Sequence, residues 1–348
     1  MPPGPVVGLG ALALLVAAGP ASLLQQPRFE EKLEVTRVVV DARVLDSRGR
    51  PILGLGPGDF RVRVDGTVVP LESAEWIPAA GAAEAGVSER RVPEPETAPG
   101  GGEAAGGGRL IVLLFQRDIG DQRVKGIIRM NQRARVFLDT LSLADRVAVL
   151  LFDSHLRMFC DFTPDKARVA DLLERRLLFE WPAPPGPGPA PSLAAHFDRE
   201  AARRAAEPET ALLVVANALK PLPGPKSIVF FGWGLGRLTG GGVIMDPDYD
   251  PARRALAQAR AAVFALDVSD ADYHSLEVGL VRVAADTGGL YMKTHEFPLL
   301  AMKAVEGAIK GHYVLSFESP GGRRGTRSLR IDLAGRRGTV LARNAFAD

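Results

Sequence analysis

The chain is poor in several things that would identify a protein at once. Its 348 residues include one cysteine, Cys160, so an internal disulfide framework and a cysteine-built metal site are excluded. Cys160 lies within Leu156–Phe162, which reads as a short strand holding a buried structural thiol. The 43 Lys and Arg nearly balance 41 Asp and Glu, leaving +2 and no excess to neutralise a phosphate backbone. A nucleic-acid binder held by electrostatics is therefore not expected. No apolar run reaches the roughly 20 residues that span a bilayer. The histidines at 155, 196, 274, 295 and 312 never show the His-x-x-x-His spacing of a helical zinc site. A Gly-x-Ser-x-Gly elbow is missing too, so a hydrolase of that type lacks its nucleophile.

What the chain does hold is glycine and proline, 38 and 27 residues, gathered into linker-like stretches. An apolar run, Val6–Ala18, is followed by Gly19-Pro20-Ala21-Ser22, the outline of a secretory signal over 1–22. No Lys or Arg precedes that run, so the signal is atypical. Export to the periplasm or the exterior is the expectation. Residues 30–77 read as a β-sandwich-like module, with alternating Asp59-Phe60-Arg61-Val62-Arg63-Val64 and a tight turn at Asp65-Gly66. A Gly/Ala/Pro linker follows over 78–108, with too little apolar surface to fold.

From 109 to 311 strand and helix signals alternate. Leu110–Phe115, Val147–Phe152, Ile228–Phe231 and Ala262–Leu266 are continuous apolar runs, as strands covered on both faces require. Helical periodicity falls near 123–141, 164–177, 210–219, 251–261, 275–286 and 297–310. Gly288-Gly289 suits a left-handed cap. This order predicts an α/β fold with a doubly wound, mostly parallel sheet. More β signal fills 312–348, and the sequence leaves open whether it joins the N-terminal β segment.

The segments "VVVDARVLDSRGRPILGLGPGDFRVRVDG", "RLIVLLF", "DRVAVLLFDSHLRMFCDFTPDKARV", "GPKSIVFF" and "AADTGGLY" resemble, in order and spacing, a bacterial von Willebrand factor type A-related family of exported proteins. The resemblance covers nearly the whole chain. It implies a Rossmann-type sheet, a protein partner, and a metal-ion-dependent adhesion site at the carboxyl ends of the strands. That site's first loop, Asp-x-Ser-x-Ser, supplies oxygen ligands suited to Mg²⁺. Here the matching loop is Gln116-Arg117-Asp118-Ile119-Gly120. Gln116 stands in the Asp position, and Asp118 and Gly120 in the Ser positions. Thr210 matches the second-loop Thr, and Gly232 stands near an expected acid. The resemblance thus implies a degenerate metal site limited to Asp118, Asp121 and Thr210. Weak Mg²⁺ binding is its most generous outcome, and no other cofactor is expected. The competing reading makes Asp118 a cap of the following helix.

Two more constellations fall short of a motif. Gly232-Trp233-Gly234-Leu235-Gly236 follows a strand but continues as loop, so it is no dinucleotide fingerprint. Asp246-Pro247-Asp248-Tyr249-Asp250 has alternate oxygens, yet lacks the later glycine and glutamate of a calcium loop. Together these readings predict a non-enzymatic module that binds a protein through loops near 116–123, 208–211, 232–250 and 267–274. Its candidate contacts are Gln116, Gly232, Trp233, Tyr249, Asp267 and Tyr273, with no integral membrane segment. The alternatives are an enzyme or metal-dependent binder using the Gly232–Asp272 loops, or a structural scaffold component.

Overall fold

The computed structural model describes residues 37–79, 108–118, 120–177, 180, 183, 185–321 and 325–347. The leader at 1–22 and nearly all of the linker at 78–108 lie outside the described residues. Four strands come first: β1 (Arg37–Leu45), β2 (Phe60–Val64), β3 (Thr67–Val69) and β4 (Ser73–Pro78). Then follow β5 (Leu110–Gln116), α1 (Asp121–Leu138), β6 (Arg146–Phe152), β7 (Leu156–Thr163), α2 (Lys166–Arg175), α3 (Arg199–Arg204) and α4 (Pro208–Leu219). Next are β8 (Lys226–Gly232), β9 (Arg237–Thr239), β10 (Gly242–Ile244), α5 (Tyr249–Gln258) and β11 (Ala261–Asp267). The last group is α6 (Glu277–Thr287), β12 (Tyr291–Lys293), α7 (Pro298–Ala308), β13 (Gly311–Glu318), β14 (Thr326–Leu333), β15 (Thr339–Ala342) and β16 (Ala345–Ala347).

The apolar runs make a six-stranded sheet in the order β12-β11-β8-β5-β6-β7. Its strands are parallel except β7, which returns antiparallel to β6. Every residue of β5, β8 and β11 is buried, the reason these strands show no alternation in sequence. Their side chains divide between two apolar clusters. Ile111, Leu113 and Phe115 join residues of α1, α2 and α7, whereas Leu110, Val112 and Leu114 join residues of α4, α5 and α6. Asp165 caps α2 by accepting from the Arg168 amide, and Gly288 ends α6 in the left-handed region at φ 72°.

The β signals at the two ends form a pair of four-stranded sheets, β15-β1-β13-β4 and β16-β14-β2-β3. Val38, Val40, Val62, Val64, Leu315, Phe317 and Ile331 fill one core with Tyr313. The question left open by the sequence is answered by register: β1 lies between β13 and β15, pairing Val40 with Leu315 and Val44 with Val340. Asp65 and Gly66 both have positive φ, 48° and 84°, and connect β2 to β3 as a two-residue hairpin requires. The sandwich meets the parallel sheet through charge as well as packing. Asp41 of β1 pairs with Arg260 at 2.9 Å, and buried Arg43 donates to the carbonyl of Gly288 at 3.3 Å. Among the described residues no helix is long and apolar enough to cross a membrane.

Candidate functional site

Parallel strands bring the loops after β5, β8, β11 and β12 to one end of the sheet, where open α/β sheets place ligand sites. Gln116 ends β5 and is buried, and its Oε1 accepts from the amides of Trp233 at 2.9 Å and Gly234 at 3.2 Å. It ties the β8 loop to β5 and offers nothing to solvent. Gly232 is forced by the same contact: a Cβ there would stand 2.9 Å from Gln116 Oε1 and 2.7 Å from the Phe230 ring. Trp233 is half-buried, with the Arg123 guanidinium stacked 3.7 Å from its ring centroid.

Of the residues implied as metal ligands, Asp118 and Thr210 are each engaged with other groups of the chain. Asp118 accepts from the Gly120 amide at 2.8 Å and pairs with Arg123. The Thr210 hydroxyl donates to Asp248 Oδ2 at 2.8 Å. Asp121 opens α1, and its side chain is outside the described residues. Gln116 spends its oxygen on two amides, and Gly232 has no side chain. Nor does Asp118 cap α1, whose N-cap is Gly120 without a side-chain bond. Beside Thr210, fully buried Glu209 accepts from the Gly236 amide at 2.6 Å, and burial pushes its carboxyl above the usual range.

Tyr249 does not belong to this surface. It opens α5 with its ring on the core-facing side, in line with Ala252 and Leu256 three and seven positions on. It is 2% exposed, and its hydroxyl donates to Asp286 at 2.6 Å. Tyr273 is the opposite case, 69% exposed on the loop after β11. Asp267, the last residue of β11, is 1% exposed and sits at the centre of a polar cluster. Its Oδ1 accepts from the Ser269 amide at 2.9 Å. Its Oδ2 lies 2.7 Å from His274 Nε2 and accepts from the Tyr291 hydroxyl at 3.0 Å. Lys293 on β12 pairs with Glu277 in the first turn of α6 at 2.8 Å. Burial and the two neighbouring carboxylates hold Tyr291 neutral well above the usual phenol range.

His274, Glu277, Tyr291 and Lys293 are not among the residues singled out from the sequence. The pairing of Asp267 with Lys293 in the β11–β12 register is what gathers them. A row of exposed apolar side chains also went unread: Phe297 at 62%, with Leu299 and Leu300 beside it at the start of α7. With Arg133, Glu296 and Lys303 they line a shallow groove.

No family model and no curated protein matches the chain. Solved structures with a partial likeness include a point mutant of the PilB minor pilin from Streptococcus sanguinis, 12% identical, with a TM-score of 0.36. That match covers 58% of this chain and 60% of the pilin chain, so the chain spans less than two thirds of it. The conserved hypothetical protein BatB from Bacteroides thetaiotaomicron is 14% identical over 58% of this chain and 97% of its own, with a TM-score of 0.36. A von Willebrand factor type A protein from Catenulispora acidiphila is 11% identical over 68% of this chain and 66% of its own, with a TM-score of 0.42. At these scores the likenesses carry no functional argument.

Proposed function

We propose that the chain is an exported, non-catalytic binding module with a doubly wound, von Willebrand A-like layout. It recognises a partner protein through the loops at the carboxyl ends of the sheet strands, without a working adhesion-type metal site. The observation that carries this reading is the exposure of Tyr273 and Phe297 at that end of the sheet. Leu299 and Leu300 extend the apolar surface, and the Arg123–Trp233 stack adds a cationic and aromatic shelf. Aromatic and Arg side chains are enriched at interface hot spots, the aromatics because they bury large areas for little lost rotamer freedom. Gln116, Gly232 and Asp267 act by shaping the loops and do not touch the partner.

The test is site-specific photo-crosslinking in the producing cell, with the reactive residue placed at Tyr273, Phe297 or Leu143. Leu143 is 92% exposed just before β6, at the amino end of the sheet. A discrete heavier adduct is expected from positions 273 and 297 and none from 143. Equal labelling from all three positions, or none from 273 and 297, would remove the reading.

A further inference from the structure

The cluster around Asp267 has a donor set that partner recognition does not require. Asp267, His274 and Glu277 each present one ligating atom, and these atoms lie within 4.8 Å of one another. We propose that the three residues bind a first-row divalent transition ion, with Zn²⁺ as the reference ion. An imidazole with two carboxylates is softer than the all-oxygen cages of Ca²⁺ and Mg²⁺, and it suits Zn²⁺ and its neighbours. Donors placed about 2.0–2.2 Å from a tetrahedral ion stand roughly 3.4 Å apart, so the set closes with movements on the order of 1 Å. Three protein ligands leave a fourth position open.

The surroundings hold these donors as an outer shell should. The Ser269 amide engages Asp267 Oδ1 and leaves Oδ2 turned toward His274. The Tyr291 hydroxyl donates to Asp267 and lies 3.4 Å from Glu277 Oε2, bridging the two carboxylates. The His274 side chain is 21% exposed, which provides an entry path. The Lys293 ammonium already sits 2.8 Å from Glu277, so the site holds a positive charge that a dication would displace. The second group, Asp272, His295 and Glu296, also has its ligating atoms within 4.8 Å, but the Asp272 side chain is 93% exposed. It serves as the internal control.

The full chain, stripped with EDTA, is titrated with ZnCl₂ against a chromophoric chelator, and Co²⁺ absorption is read in parallel. One equivalent is expected to bind, with a cobalt d–d band of a low-coordinate site. Outer-shell losses alone weaken metal sites about 10–100-fold, so loss of a ligand in His274→Ala or Glu277→Gln should cost at least about 100-fold. His295→Ala should change nothing. Lys293→Met removes the competing ammonium and should tighten Zn²⁺ by about tenfold. Thermal midpoints within a few degrees of the parent identify variants that still fold, and the changes at partly exposed His295 and Lys293 keep the comparison independent of Asp267. The proposal is overturned by no saturable binding, by binding that follows His295 instead of His274, or by weaker binding in Lys293→Met. It does not rest on the partner-binding reading, since the crosslinking and the titration succeed or fail separately.

Discussion

Tyr249, Tyr291 and Tyr313 are held in their neutral form chiefly by burial, reinforced at the first two by Asp286 and Asp267. In the unfolded chain a phenol ionises near pH 10, so above that point the unfolded state releases protons that the folded state keeps. The stability these tyrosines contribute is therefore complete below about pH 10 and declines as pH rises beyond it. Urea midpoints measured at pH 8.5 and 10.5 should show the fall, and Tyr249→Phe should make it shallower. At neutral pH the same substitution removes the 2.6 Å bond to Asp286 and should cost about 1–3 kcal/mol. Crosslinking from Tyr273 should be unchanged, because Tyr249 lies in the core. The sequence misled at Tyr249 for a definite reason. An aromatic within Asp246–Asp250 looks like a loop residue until the helix is seen to begin at Tyr249 itself.

The helices show which glycines are there for contact. Gly126 lies inside α1, where alanine would ordinarily gain about 1 kcal/mol of helix propensity. A Cβ at 126 would stand 1.7 Å from the carbonyl oxygen of Val268, the residue that follows β11. Overpacking of this kind costs about 1–3 kcal/mol or more, so the contact outweighs the propensity. Gly126→Ala should lower the thermal midpoint, and the shift should also disturb the backbone next to Asp267. An unchanged or raised midpoint would mean that α1 slides freely on β11. Elements of this kind were readable from composition: Leu110–Phe115 and Ile228–Phe231 are strands, and the Asp65-Gly66 turn sits where its residues require it. Helix starts were less so. α4 begins at Pro208 and α5 at Tyr249, each two residues ahead of the sequence reading, because proline is accepted in a first helical turn.

Across the whole molecule, the candidate site was legible only where it was local. The departures at Gln116 and Gly232 could be read directly, and the contact between them explains why no acid stands at 232. His274 looked isolated because its companions lie on β11, α6 and β12, and Tyr291 is 24 positions from Asp267. Only sheet register joins them. Register also decides how the terminal β segments behave. With β1 held between β13 and β15, residues 37–79 should remain attached to the rest after cleavage at a protease site introduced between 80 and 107. Co-elution of the two fragments on gel filtration under native conditions, and their separation in urea, is the expected result. Native separation would show that the sandwich core does not hold its halves together.

The same arrangement governs how the protein carries tension. The parallel sheet leaves the sandwich after β4 and returns at β13, and these two strands are paired along six positions from Gly311–Pro78 to Ser316–Ser73. A pull applied between residues 37 and 347 therefore loads the sandwich strands, while the excursion from 110 to 308 leaves and re-enters at two neighbouring points and is held to the sandwich by side contacts such as Asp41–Arg260. Its loops stay in shape until the clamp between β4 and β13 is peeled open. The carboxyl end of the parallel sheet therefore lies behind the β4–β13 clamp when load is applied between residues 37 and 347.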